Sequence, residues 1–123
     1  MIKGVGVDIV AVARIQEALD RTEGFADRIL TNSELERFKV VKQQAHFLAK
    51  RFAAKEALVK ALGTGIGSGV TWHQIEIYND EKGAPSIRLS GVAETIMQSM
   101  NAKQCRLSLS DEQHSAVAFV VID

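Results

Sequence analysis

The run from His46 to Leu62, HFLAKRFAAKEALVKAL, constrains the shape of this chain more than any other stretch. Leu48, Phe52, Val59 and Leu62 follow at spacings that keep them on one face of a helix. The helix predicted here stops at Gly63, the residue type that takes the left-handed turn after a last helical position without steric cost. At ~100° per residue, Glu56 lies about 40° from Phe52 and Lys60 about 80°. Glu56 therefore sits on the shoulder of the apolar stripe, an expensive place for a carboxylate without a partner.

A second pattern precedes it. Residues 2–10, IKGVGVDIV, alternate as a strand, with Val5, Val7 and Ile9 on one face and Gly4, Gly6 and Asp8 on the other. Two glycines leading to a carboxylate strip that face of bulk, so another backbone or a ligand can come close. Ala11–Leu19 continues as a helix with Val12, Ile15 and Leu19 on one side. Ser33 with Glu36 three residues on has the spacing of a capping box and predicts a helix start there. The polar stretch near 40–45 reads as a bend. After the glycine loop GTGIGSG (63–69), Trp72–Tyr78 and Ser86–Leu89 form a hairpin around the turn 79–83, and Ser90 can cap a short helix. Arg106–Ser110 and Ala116–Ile122 close the chain as strands joined by a turn at 111–114. Strands mixed with helices and closed by hairpins predict an α+β fold with a mainly antiparallel sheet. At 123 residues and 46% apolar composition, residues 1–123 are expected to form one domain around one core.

Charge separates the function classes. The chain is neutral overall, yet Arg37–Lys60 holds seven basic residues against one acid, Glu56, a local +6. Such a segment draws anionic partners through a field that salt screens; a solvated helix face is the plainer alternative. A nucleic-acid strand binder would need more than 6% aromatic residues for stacking. No stretch approaches the roughly 20 apolar residues of a membrane span. Asp8 breaks the short apolar start, so neither a signal peptide nor an anchor is expected. A lone Cys105 excludes an internal disulfide and suits a reducing cytoplasm.

Three side chains could carry chemistry. Glu56 and Lys60 are neighbours at i,i+4, which by itself is an ordinary surface pair. Asp8, at the end of its strand, could simply accept backbone amides. Joined, the two carboxylates are hard oxygen ligands suited to magnesium, which takes one or two protein carboxylates and completes its shell with water and phosphate oxygens. The glycine loop lacks the Walker A order; it is either a connector or a nest of backbone N–H groups for a phosphate. His46, His73 and His114 have no metal-ligand spacing.

Three blocks, taken together, resemble the short bacterial holo-acyl-carrier-protein synthases, a group within the phosphopantetheinyl transferases. They are Gly4–Val10 (GVGVDIV), Phe47–Gly67 (FLAKRFAAKEALVKALGTGIG) and the Leu107–Ile122 hairpin. The resemblance runs over the whole chain, and RFAAKEA followed by GTGIG is its most specific part. It implies transfer of phosphopantetheine from coenzyme A to a serine of an acyl carrier protein, with Asp8 and Glu56 as magnesium ligands and Lys60 as the active-site lysine. It places Lys50, Arg51, Lys55, Gly63, Thr64 and Gly65 at coenzyme A, and Arg14 and Arg21 at the acidic helix of the carrier protein. It implies a homotrimer with sites between subunits. Glu56 and a metal-bound water are both candidates for the base. One departure stands out: where many members carry a histidine after Ser-x-Ser/Thr, this chain has Asp111, with His114 three residues later. A non-catalytic coenzyme A or nucleotide binder is the competing reading; it should have lost one of Asp8, Glu56 and Lys60, and none is missing.

Overall fold

Small residues on one strand let two backbones touch, and the rest of the architecture is arranged around that contact. The computed structural model describes residues 1–123. In chain order the elements are β1 (Gly4–Ala11), α1 (Val12–Arg21), α2 (Phe25–Ile29), α3 (Asn32–Phe38), α4 (Gln44–Leu62), a 3₁₀ turn (Trp72–Gln74), β2 (Ile75–Asn79), β3 (Pro85–Leu89), α5 (Gly91–Ser99), β4 (Cys105–Asp111) and β5 (Ser115–Ile122). A Cβ on Gly4 would lie 2.1 Å from the Ala61 carbonyl oxygen, and one on Gly6 only 1.9 Å from that of Ala57. Only glycine permits β1 to lie this close to α4.

The sheet order is β1-β5-β4, all antiparallel, and a separate antiparallel hairpin joins β2 to β3. The predicted α+β class with antiparallel sheets and a long helix is what the structure shows, with two sheets rather than one. Register aligns Gly4 with Ile122 and Cys105, Gly6 with Val120 and Leu107, and Asp8 with Ala118 and Leu109. That row faces α4. The opposite row, Val5, Val7 and Ile9 beside Val121, Phe119 and Val117, faces away from it.

The face of β1 that reads as apolar is therefore the exposed one: Val5, Val7 and Ile9 are 52%, 54% and 65% accessible and Phe119 44%. The glycine–carboxylate face is inside.

The long helix also differs from a one-sided amphipath. Ala49, Ala53, Ala54 and Ala57 are buried along with Leu48, Leu58, Val59 and Leu62, so α4 is enclosed on most of its circumference. Alanine makes this possible, because a helix can be approached from several sides only where its side chains are short. Phe52 is half-buried and stacks on Trp72 with ring centroids 5.2 Å apart.

Three local expectations are corrected. The capping box is Thr31 with Glu34, not Ser33 with Glu36: the Glu34 carboxylate accepts the Thr31 N–H at 2.8 Å, and Thr31 Oγ1 accepts the Glu34 N–H at 3.4 Å. The same three-residue spacing occurs two positions earlier in the sequence, and burial of Glu34 selects it. Trp72–Gln74 is a 3₁₀ turn, so the strand begins at Ile75. Ser90 occupies the N-cap position of α5 without a capping hydrogen bond from its side chain.

Candidate active site

Two lysines on α4 define two different charge clusters. Lys55 is wholly buried (0% accessible) and its three ammonium hydrogens all have acceptors. Nζ donates to Glu34 Oε1 at 2.6 Å, to the Ile29 carbonyl at 2.7 Å and to the Trp72 carbonyl at 3.3 Å. Glu34, 1% accessible, also accepts the Ile77 N–H at 2.9 Å through Oε2. Arg51 lies beside it, with Nε 3.6 Å from that same Oε2, too long for a hydrogen bond. Its Nη2 donates to the Ile77 carbonyl at 3.4 Å, and its guanidinium covers the Phe47 ring at 4.1 Å. Glu34 and Arg51 thus satisfy both backbone groups of Ile77 on the edge of β2 that has no strand partner. Burial pushes Lys55 below the ordinary lysine value, opposed by Glu34, and burial likewise lowers Arg51.

The resemblance places Arg51 and Lys55 at coenzyme A. Both are interior groups, and Lys55 has no free donor. Glu34, the residue that organises them, was missed, because the sequence gives a carboxylate at the start of a helix no sign of its depth. The available signal was the pair Arg51 and Lys55 at i,i+4 in an otherwise alanine-rich helix, which calls for a buried acid.

The second cluster lies at the edge of β1 not paired with β5. Lys60 Nζ donates to the Val7 carbonyl at 2.9 Å and to Asp8 Oδ1 at 3.2 Å. Its side chain is 52% accessible, against 16% for Asp8. Glu56, one turn earlier on α4 and half-buried, feels the charges of both Asp8 and Lys60. Burial raises the Glu56 carboxyl above its ordinary value of 4.5, the Asp8 charge raises it further, and Lys60 lowers it. The structure therefore puts Lys60 in contact with Asp8, and Glu56 close enough to feel both charges. The reason is the glycine contact: Gly4 and Gly6 hold β1 against Ala61 and Ala57, which places Asp8 beside the turn of α4 carrying Glu56 and Lys60. No group of three or more His, Cys, Asp or Glu side chains converges anywhere in the chain.

The other expected residues are spread around this centre. Lys50 is half-buried near the middle of α4. Gly63 takes φ +80° and ends the helix as predicted. The N–H groups of Thr64 and Gly65 both return to the Val59 carbonyl, and those of Gly67 and Val70 pair with each other's carbonyl. Of the two readings of this loop the connector fits its first residues, since Gly63, Thr64 and Gly65 all use their N–H groups on the helix end. Arg14 and Arg21 are exposed on α1, and Arg21 is paired with Glu17 at 2.6 Å. Asp111 ends β4 in the open. The His114 side chain is exposed on the turn, while its carbonyl accepts the Val12 N–H at 2.9 Å.

Fold and site together define an α+β domain in which two carboxylates and a lysine meet at a strand edge, a set of groups suited to a hard cation and the polyanion it would hold. The chain belongs to the 4′-phosphopantetheinyl transferase superfamily, whose family model matches residues 4–120. It is 52% identical to a holo-[acyl-carrier-protein] synthase of Vibrio parahaemolyticus over 123 residues, 99% of this chain and 98% of that one. The crystal structure of holo-[acyl-carrier-protein] synthase from Neisseria meningitidis superposes with TM-score 0.91 at 40% identity, over 100% of this chain and 99% of that chain. A Helicobacter pylori synthase solved in complex with coenzyme A superposes with TM-score 0.84 at 35% identity, over 97% and 99% of the two chains.

Proposed function

We infer that this chain transfers the 4′-phosphopantetheine group of coenzyme A to a serine of an apo acyl carrier protein. In this reaction the serine oxygen bonds to the β-phosphorus, the bond from that phosphorus to the bridging oxygen breaks, and adenosine 3′,5′-bisphosphate leaves. The observation that carries the reading is the meeting of Asp8, Glu56 and Lys60 at the edge of β1, in a chain so similar to holo-[acyl-carrier-protein] synthases over its whole length.

Phosphoryl transfer asks a protein mainly for position and for positive charge where negative charge develops. The donor set fits magnesium: two hard carboxylates and no fuller protein cage, which leaves positions for phosphate oxygens. The repulsion that raises Glu56 is also what a bound cation would relieve. Asp8 and Glu56 would hold it, and it would supply charge neutralisation at the diphosphate. Lys60, which donates to the Val7 carbonyl, adds a second positive group there. Glu56 is the chain's own candidate for the serine proton; burial and the Asp8 charge make it a stronger acceptor than an ordinary glutamate.

The wider reading follows the same relatives. Arg14 and Arg21 on α1 offer exposed guanidinium groups to an acidic carrier protein. Lys50 and the loop Gly63–Gly65 border coenzyme A. A homotrimer with sites between subunits is supported by the exposed apolar row Val5, Val7, Ile9 and Phe119, a surface of the kind that marks protein–protein contact. We place the enzyme in the cytoplasm, in the fatty-acid synthesis apparatus. No helix is long and apolar enough to cross a membrane.

The test is direct. Incubated with coenzyme A, magnesium and an apo carrier protein, the chain should add the mass of one phosphopantetheine to the carrier. A carrier mass that stays unchanged across metals and pH values refutes the reading.

A further inference from the structure

Lys60 and Asp8 are hydrogen-bonded while Glu56 has no hydrogen-bonding partner of its own, and this asymmetry has a consequence for how the site is loaded. Of the two carboxylates, only Asp8 has the Lys60 ammonium within hydrogen-bonding distance, at 3.2 Å. The Val7 carbonyl holds the same nitrogen at 2.9 Å, so strand β1 fixes both acceptors. The lysine stem is half in solvent, and nothing buries its end. Lys55 on the same helix is the opposite case: dry, with every N–H satisfied from within the protein.

We propose that Lys60 is the resident counter-ion of Asp8 and leaves it when a divalent cation loads, which turns its ammonium toward the anionic substrate. This rests on the reading of Asp8 and Glu56 as cation ligands. The charge count supports it. Two carboxylates and one ammonium carry a net −1, which repels a polyanion; with a divalent cation the same groups carry +1, which attracts one. An ammonium and a divalent cation sharing one carboxylate oxygen repel strongly at such distances. The exposed partner with a flexible stem is the one that moves. Cation binding and diphosphate binding are then linked through a single side chain, each favouring the other.

The experiment uses the intact protein without coenzyme A and Mn²⁺ as the probe, with unbound Mn²⁺ read by electron paramagnetic resonance. Lys60→Met should bind Mn²⁺ about tenfold more tightly than the unchanged protein, because a competing charge next to Asp8 has gone. In the unchanged protein, the ¹⁵Nζ signal of Lys60 should move, and its protons exchange faster, as Mg²⁺ is added. Equal or weaker Mn²⁺ binding by Lys60→Met overturns the exchange and leaves the metal site standing. So does an Nζ signal that stays in place at saturating Mg²⁺. If neither protein binds Mn²⁺, the reading of Asp8 and Glu56 as ligands falls, and the exchange with it.

Discussion

Lys55 and Lys60 stand five positions apart on one helix, each within reach of a carboxylate, and they do opposite work. The Lys55–Glu34 pair is sealed at 2.6 Å in a dry interior, where every N–H of the ammonium has an acceptor. The Lys60–Asp8 pair is longer, at 3.2 Å, and its lysine is half in water. A fully satisfied buried pair fixes geometry, because either partner left alone is an uncompensated charge in low dielectric. An exposed pair contributes little to stability, and its lysine can change partners at little cost. The first cluster ties α2, α3, α4 and β2 together; the second leaves its charges available for chemistry.

The comparison breaks most visibly in activity. Glu56→Gln keeps the shape of the side chain and removes its charge, so turnover should fall by at least about a hundredfold, as loss of a metal-binding and proton-accepting group does. Circular dichroism should be unchanged, and near-normal carrier modification by this variant would remove Glu56 from the site. Stability should respond in the reverse sense. Lys55→Met leaves Glu34 buried without its main partner and should cost about 3–5 kcal/mol in urea unfolding. Lys60→Met should cost less than about 1 kcal/mol. Equal losses in the two would erase the distinction between the clusters.

Glu56 sharpens the contrast through pH. Its folded-state pKa is raised above the ordinary 4.5, so the native state holds the proton more tightly than the unfolded chain. The stabilisation this gives is fully present below the unfolded value and is lost as pH rises through the raised folded one. Unfolding free energy followed upward from pH 4.5 should therefore fall in the parent relative to Glu56→Gln, which lacks the titration. Parallel curves in that window would contradict the raised value. The smallest effect concerns the surface. Arg14→Glu should raise the apparent KM for the carrier protein by roughly tenfold and leave coenzyme A binding alone, since rim charges act mainly on encounter. Equal losses for both substrates would show that Arg14 does not dock the carrier.

Much of this was visible before folding was considered. The long helix with its glycine stop, the alternating first strand and the closing hairpin follow from periodicity and turn chemistry, and the structure has them. Asp8, Glu56 and Lys60 stand out by type, position and family resemblance; Lys60 contacts Asp8, and Glu56 feels both charges. Less was visible where one pattern has two uses. Val5, Val7 and Ile9 look like core residues, but two glycines let the helix take the other face of the strand and leave this one outside. Arg51 and Lys55 look like phosphate ligands in a basic run, and Glu34 draws them inward.

The sequence alone determined the chemistry on offer: two carboxylates, a lysine, a strand face bare enough to receive a helix, and a helix of short side chains able to be enclosed. Only the tertiary structure decided which charges stay dry and which stay exchangeable. The reason is that desolvation depends on neighbours supplied by other segments. Periodicity assigns a residue to a face, but the Ile29 and Trp72 carbonyls that enclose Lys55, and the Val7 carbonyl that holds Lys60, come from elsewhere in the chain.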